Sequence, residues 1–132
     1  MMKLSQRPHP HLLSILSVES DASSGVRMVV PIARYGSMLD LVDHLEFQGL
    51  APSHAHMNVV LRQVKQAVDH LETQGFDHGD VRARNVLVFE FETDNPCATH
   101  VCLGDYGETR PGRVTPDCIM DLAKELHSLV PR

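Results

Sequence analysis

The sequence predicts an α+β domain, mainly helical, that carries one β hairpin and two further strands near its start. Three stretches lead to that class. From about His54 to Gln74, apolar residues recur at spacings of three and four, the period of a long amphipathic helix. Val86–Phe91 and Thr99–Leu103 are β-leaning segments on either side of Glu92–Ala98, whose Asp94-Asn95-Pro96 is turn chemistry. Between helix and hairpin lies His78-Gly79-Asp80-Val81-Arg82-Ala83-Arg84-Asn85, a loop that carries an acid, an amide and two arginines.

Taken in order, residues 1–11 are polar and broken by Pro8 and Pro10, and are expected to form a loose lead-in. Leu12–Val18 reads as a short strand and Glu19–Gly25, rich in Ser and Asp, as a turn. Val26–Ile32 reads as a second strand paired back on the first. Arg34-Tyr35-Gly36 breaks it, and Ser37 is placed to cap a short helix. Its spacing puts Leu39, Val42 and Leu45 inward and Asp40, Asp43 and Glu46 outward, the acids forming a solvated face. Gly49 and Pro52 end that helix, and Ser53 can cap the next. There Val60, Leu61, Val64, Ala67, Val68 and Leu71 form the apolar stripe, with Arg62, Lys65, Gln66, Asp69 and Glu72 opposite and Gly75 as the stop. Residues 108–116 hold Pro111, Gly112 and Pro116 and are expected to be loop. Asp117 is placed to cap a last helix with Ile119, Met120, Leu122, Ala123 and Leu126 on its core face.

At 132 residues the chain is one domain, large enough for a real core. No apolar run approaches the ~20 residues of a membrane span, and no secretory leader pattern opens the chain. The formal net charge of −5, without a basic block, argues against nucleic acid as a partner. Three cysteines (Cys97, Cys102, Cys118) without Cys-x-x-Cys spacing point to reduced thiols and an intracellular, cytoplasmic setting. Leu129-Val130-Pro131-Arg132 matches what thrombin leaves at a cut linker, so the domain is read as 1–128 and residues 129–132 as a processing scar.

About two dozen residues after Asp80 comes Gly104-Asp105-Tyr106-Gly107, again at the end of a β-leaning segment. Acid, amide and second acid, in the order helix, loop, hairpin, loop, resemble the C-terminal lobe of a protein kinase, and the resemblance covers most of the chain. It implies a kinase-like C-lobe with two residual N-lobe strands, and ATP and Mg²⁺ as cofactors. Asp80 would be the catalytic base, Asn85 and Asp105 the metal ligands, and Arg82 or Arg84 the contact to substrate or phosphate. In the hinge, Val30 would sit beside the adenine, with the Pro31 carbonyl and the Ala33 amide toward the base edge and Leu87 as the floor. His78 would be a structural member of the loop. An acid of the last helix, Asp121 before Asp117, would brace the loop backbone.

The sequence also departs from the family pattern. Gly79 stands where most protein kinases have Arg, and His-Gly-Asp is similar to the spelling in aminoglycoside and choline kinases. Arg82 and Arg84 resemble the tyrosine branch. Only nine residues, Glu108–Pro116, separate the second acid motif from Asp117, which leaves no room for an activation segment. No glycine-rich loop, phosphate-binding Lys or regulatory Glu precedes the hinge within the sequence.

Asp, Asn and Gly are also ordinary loop residues, and the site rests on their agreement in order and spacing. The pairs His9/His11 and His54/His56 lack the further ligands of a tetrahedral metal set, and Cys97 and Cys102 read as spectator thiols. The leading expectation is an ATP/Mg²⁺-dependent phosphotransferase or a fragment of one, weak or inactive alone for want of the glycine loop and Lys. The alternative is a non-catalytic kinase-fold module that binds a protein partner, a separate N-lobe or a second copy of itself. The acceptor stays open among Tyr, Ser/Thr and a small alcohol.

Overall fold

The computed structural model describes residues 9–13, 17–21, 25–104, 110–111 and 117–131. Near the start, β1 (Ser17–Asp21) and β2 (Gly25–Val29) pair antiparallel, with Ser17 opposite Val29 and Asp21 opposite Gly25. The hairpin is therefore later and tighter than its sequence suggests, because β1 runs on into the expected turn. Leu12 belongs elsewhere. It bridges Leu103 in parallel, with the Leu13 N–H donating to the Leu103 carbonyl at 3.0 Å and the Leu103 N–H donating to the His11 carbonyl at 2.8 Å. At the far end β2 stops at Val29. Pro31 has no N–H to offer a ladder, so Val30–Ile32 leaves the strand and the chain turns back toward the later hairpin. There the Tyr35 N–H reaches the Val88 carbonyl at 3.1 Å, and the Val88 N–H reaches the Gly36 carbonyl at 2.8 Å.

Ser37 opens α1 (Met38–Phe47) with a full capping box: its hydroxyl accepts from the Asp40 N–H, and the Asp40 carboxylate accepts from the Ser37 N–H at 2.9 Å. The buried face is Met38, Leu41 and Leu45, with Leu39 and Val42 only half-buried, so the inward stripe is rotated from the one the spacing suggested. Asp40, Asp43 and Glu46 face solvent as expected.

Ser53 caps α2 (His54–Thr73), with His56 standing where a capping box usually has an acid or amide. The His56 Nδ1 accepts from the Ser53 N–H at 3.0 Å, and its Nε2 faces the Glu92 carbonyl at 2.8 Å while the ring stacks on Phe91. Val60, Val64, Ala67, Val68 and Leu71 bury along α2, and Gly75, at φ +82°, ends it.

β3 (Phe76–Asp77) pairs with β6 (Arg110–Pro111), a short ladder where only loop was expected. A 3₁₀ turn (Ala83–Asn85) leads into β4 (Val86–Glu90), which pairs with β5 (His100–Leu103), Val86 opposite Leu103. Val86, Val88, Val101 and Leu103 from this hairpin join the α1 and α2 faces in one core. The last helix, α3 (Cys118–Ser128), packs on α2 through Leu122 and Leu126. Two expectations fail here. Asp117 precedes the helix in helical geometry and its side chain caps nothing, and Met120 is 60% exposed. No helix among the described residues is long and apolar enough to cross a membrane.

Candidate active site

The loop between β3 and β4 is held from several sides. Gly79 sits at φ +84°, which a side chain would strain, and its N–H donates to the Asp77 carboxylate at 3.1 Å. His78 is 1% exposed. Its Nδ1 accepts from the Asp80 N–H at 3.2 Å, so the proton belongs on Nε2, which meets the Gly104 carbonyl at 2.6 Å. His78 thus joins the start of the loop to Gly104, just after β5.

Asp80 is buried, and its carboxylate is surrounded by donors. Arg82 Nε lies 2.5 Å from Oδ1, and Arg84 Nη2 lies 3.3 Å from Oδ2. The Asn85 amide nitrogen donates both to Oδ2 and to the Asp80 carbonyl, each at 2.8 Å. Burial pushes the Asp80 carboxyl up, but the hydrogen bonds from Asn85 and Arg84 and the charges of Arg82 and Arg84 outweigh it. The net shift is downward, and Asp80 is an ionised carboxylate at neutral pH. Because the Asn85 nitrogen is committed to Asp80, its side-chain oxygen is the atom left to face a cation.

The brace from the last helix is not Asp121. Asp121 is exposed and lines the same groove as Asp80, whereas Glu125, one turn later, accepts the Ala83 N–H at 2.7 Å. The loop backbone lies beside the second turn of α3, where the longer side chain reaches it. Helical spacing from Asp121 was the signal that could have found Glu125. The groove itself holds about 520 Å³ and is lined by Asp77, Asp80, Arg82, Cys118, Asp121 and Glu125 among others. The Cys118 thiol is pushed up by burial and by the nearby Asp77 and Asp121, which makes it a poor nucleophile.

The expected hinge residues are less gathered. Val30 is 38% exposed, and Pro31 and Ala33 are half-buried. Pro31 lines a separate, mainly apolar cavity of about 600 Å³ with His9, Leu12, Leu13 and Phe89, and neither Ala33 nor Leu87 faces it. Leu87 packs against Gly104: a Cβ placed on Gly104 would lie 2.9 Å from Leu87 Cδ1. The Gly104 N–H in turn donates to the Asn85 carbonyl at 2.8 Å. Asp105, the next residue, lies outside the described residues, as does the rest of the Asp-Tyr-Gly motif.

Residues 1–118 match the family model described as protein tyrosine and serine/threonine kinase. The chain belongs to this kinase family. Among its relatives, ribosomal protein S6 kinase alpha-1 of Rattus norvegicus is 28% identical over 112 residues, covering 85% of this chain and 14% of the rat protein. Tyrosine-protein kinase Drl of Drosophila melanogaster is 30% identical over 123 residues, covering 87% of this chain and 20% of the fly protein. A crystal structure of the Rad53 kinase domain and SCD2 aligns with a TM-score of 0.67 at 18% identity, covering 83% of this chain and 38% of that one. The kinase fold is thus shown, and the chain spans about a seventh to a fifth of the length of these two relatives.

Magnesium takes few protein ligands and keeps waters, so a single amide oxygen beside a carboxylate is the donor chemistry it accepts. The free side-chain oxygen of Asn85 fits that requirement, whereas both Asp80 oxygens are engaged by Arg82, Arg84 and Asn85. No group of three or more His, Cys, Asp or Glu forms a cation cage among the described residues.

Proposed function

We propose that this chain carries the catalytic loop of an ATP- and magnesium-dependent phosphotransferase acting on a protein acceptor. The observation that carries the reading is the Asn85 amide joined to Asp80 at 2.8 Å on both its carbonyl and its carboxylate, which presents a base and an oxygen ligand as one unit. Asp80, kept ionised, takes the proton of the acceptor hydroxyl. Asn85, with Asp105, would hold the metal, which neutralises phosphate charge when bound. Arg82 and Arg84, each more than half exposed, keep most of their N–H donors for an anionic group at the groove mouth. For a hydroxyl to reach Oδ1, the Arg82 guanidinium must move aside.

Adenine would lie over Leu87, with Val30, Pro31 and Ala33 along its edge. The glycine loop and phosphate-binding Lys of the family are not among these 132 residues, so full turnover would need them from a further segment or a partner chain. The exposed Val30 and Ile32 (91% exposed) of the hinge support a second reading, a module whose apolar edge is covered by a protein partner. Three free cysteines support a reducing, intracellular compartment.

Titration calorimetry with ATP plus Mg²⁺, run beside Asp105→Asn, tests the enzyme reading. Binding that requires Mg²⁺ and is lost in the variant is expected. A folded wild type that binds nothing at millimolar nucleotide would leave the partner-binding reading in its place.

A further inference from the structure

We propose that the segment His9–Leu13 is an acid-released latch: neutral His9 holds it on β5, and protonating His9 lets it go. Two backbone bonds carry the latch, from the Leu13 N–H to the Leu103 carbonyl at 3.0 Å and from the Leu103 N–H to the His11 carbonyl at 2.8 Å. Four imidazoles from three parts of the chain stand around them. The His9 ring centre lies 4.8 Å from that of His70 on α2 and 5.8 Å from that of His11. The His11 ring in turn lies 5.2 Å from His100 on β5.

The hydrogen bonds single out the ring that answers to acid. His11 Nδ1 faces the Val101 carbonyl at 2.9 Å, and His100 Nε2 faces the Pro10 carbonyl at 2.8 Å. A carbonyl only accepts, so both nitrogens already carry protons, and a further proton on either ring leaves these bonds intact. His9 is the opposite case. Its Nδ1 accepts from the His11 N–H at 3.0 Å, so its proton is on Nε2 and the next one must go to Nδ1. That turns an acceptor into a donor facing a donor. The new cation also sits against His70, whose Nε2 is buried without a hydrogen-bond partner. Of the other titratable groups lining the cavity beside His9, Glu90 of β4 is exposed, and burial pushes the Cys102 thiol of β5 up to about 11, so it is neutral. Asp69, next to His70 on α2, is paired with Lys65 at 2.8 Å on the solvent face. Burial first, then the charges of His70 and His11, keep the His9 pKa below its ordinary value. The released segment therefore takes up the proton first: the latch is fully closed above about pH 6.5 and lets go as pH falls below it. Release would loosen the Leu103 end of β5, and the next residue, Gly104, offers its carbonyl to His78 at the start of the catalytic loop. That consequence rests on the catalytic reading, whereas the latch itself does not.

The test is amide hydrogen exchange on the whole chain at pH 7.5 and pH 5.5, expressed as protection factors so that the intrinsic pH dependence of exchange cancels. The Leu13 and Leu103 amides report the latch, and the Val64 amide in the middle of α2 reports global opening. Relative to Val64, Leu13 and Leu103 are expected to lose roughly three- to tenfold of their protection at pH 5.5, tenfold being the limit that one histidine sets over the pH unit below its ordinary value. His9→Asn places an amide oxygen where Nδ1 stood and cannot take up a proton. Its relative protection is expected to stay within about twofold between the two pH values. A wild-type ratio that does not change with pH, an equal loss at Val64, or the same loss in His9→Asn would overturn the proposal. None of these readings requires nucleotide, so a chain that shows the pH-dependent release but binds no MgATP would sink the catalytic reading and leave the latch standing.

Discussion

Asn85→Ala tests the centre of the site through stability, with no need for turnover. The substitution removes one hydrogen bond to a neutral acceptor, the Asp80 carbonyl, and one to an ionised acceptor, the Asp80 carboxylate. The first is worth about 1 kcal/mol and the second about 1.5 kcal/mol at the low end of its range, the low end being apt because Arg82 and Arg84 still contact the carboxylate. The expected loss at pH 7 is therefore about 2–3 kcal/mol, which lowers the urea midpoint by roughly 1–2 M. The pH dependence sharpens the test. Asp80 has a depressed carboxyl pKa when folded, so its contribution is complete above the unfolded carboxylate value of about 3.9 and fades as pH falls through the folded value. Asn85 is the foremost of the groups that lower it. The gap between wild type and variant should shrink below pH ~4 toward the ~1 kcal/mol of the neutral bond. Urea curves at pH 7 and pH 2.5 with the same gap at both, or a gap under ~0.5 kcal/mol at pH 7, would refute the assignment of this amide to the ionised carboxylate.

Two further outcomes follow from the geometry. Gly104→Ala places a methyl 2.9 Å from Leu87 Cδ1 and 3.4 Å from Leu13 Cδ2, and should cost about 1–2 kcal/mol in urea unfolding; a wild-type midpoint would show that Leu87 moves freely. His9 has its pKa lowered by burial and by the neighbouring His70 and His11, so the unfolded chain takes up the proton first. The stability that neutral His9 contributes should be full above about pH 6.5 and fall as the solution is acidified below it. His70→Leu removes one of those neighbours and a buried Nε2 that has no partner. It should raise the urea midpoint more at pH 5.5 than at pH 7.5, and an equal change at both would argue against the coupling.

How much of this could be read from the chain depended on the range of the interaction. Ser37, Ser53, Gly75 and the α2 stripe were legible because caps, stops and helical period are written within a few residues. The loop from His78 to Asn85 was legible through residue identity and order, and with it the family. The face of α1 was misjudged because Leu39, Leu41, Val42 and Leu45 are all apolar, and packing against β4 and the 3₁₀ turn, elements far along the chain, decides which of them bury. The pairing of Arg110–Pro111 with Phe76–Asp77, and of Leu12 with Leu103, joins residues with no local signature of each other. Glu125 lies one helical turn beyond Asp121 on the same helix, but which of the two acids reaches the Ala83 N–H is decided by how α3 sits against the loop, and no local pattern gives that.

The parallel pairing of Leu12 with Leu103 bears on how the chain comes together in time. It joins residues about 90 positions apart, as does the contact of His11 Nδ1 with the Val101 carbonyl. Closing a loop of that length costs roughly 4 kcal/mol of chain entropy before any contact repays it. During synthesis at about 5–20 residues per second, Leu12 leaves the ribosome roughly 5–18 s before its partner strand. For that interval His9–Leu13 has no β5 to join. This stitch is therefore among the last to form, and a chaperone meeting the nascent chain would find Leu12 and Leu13 before β5 does.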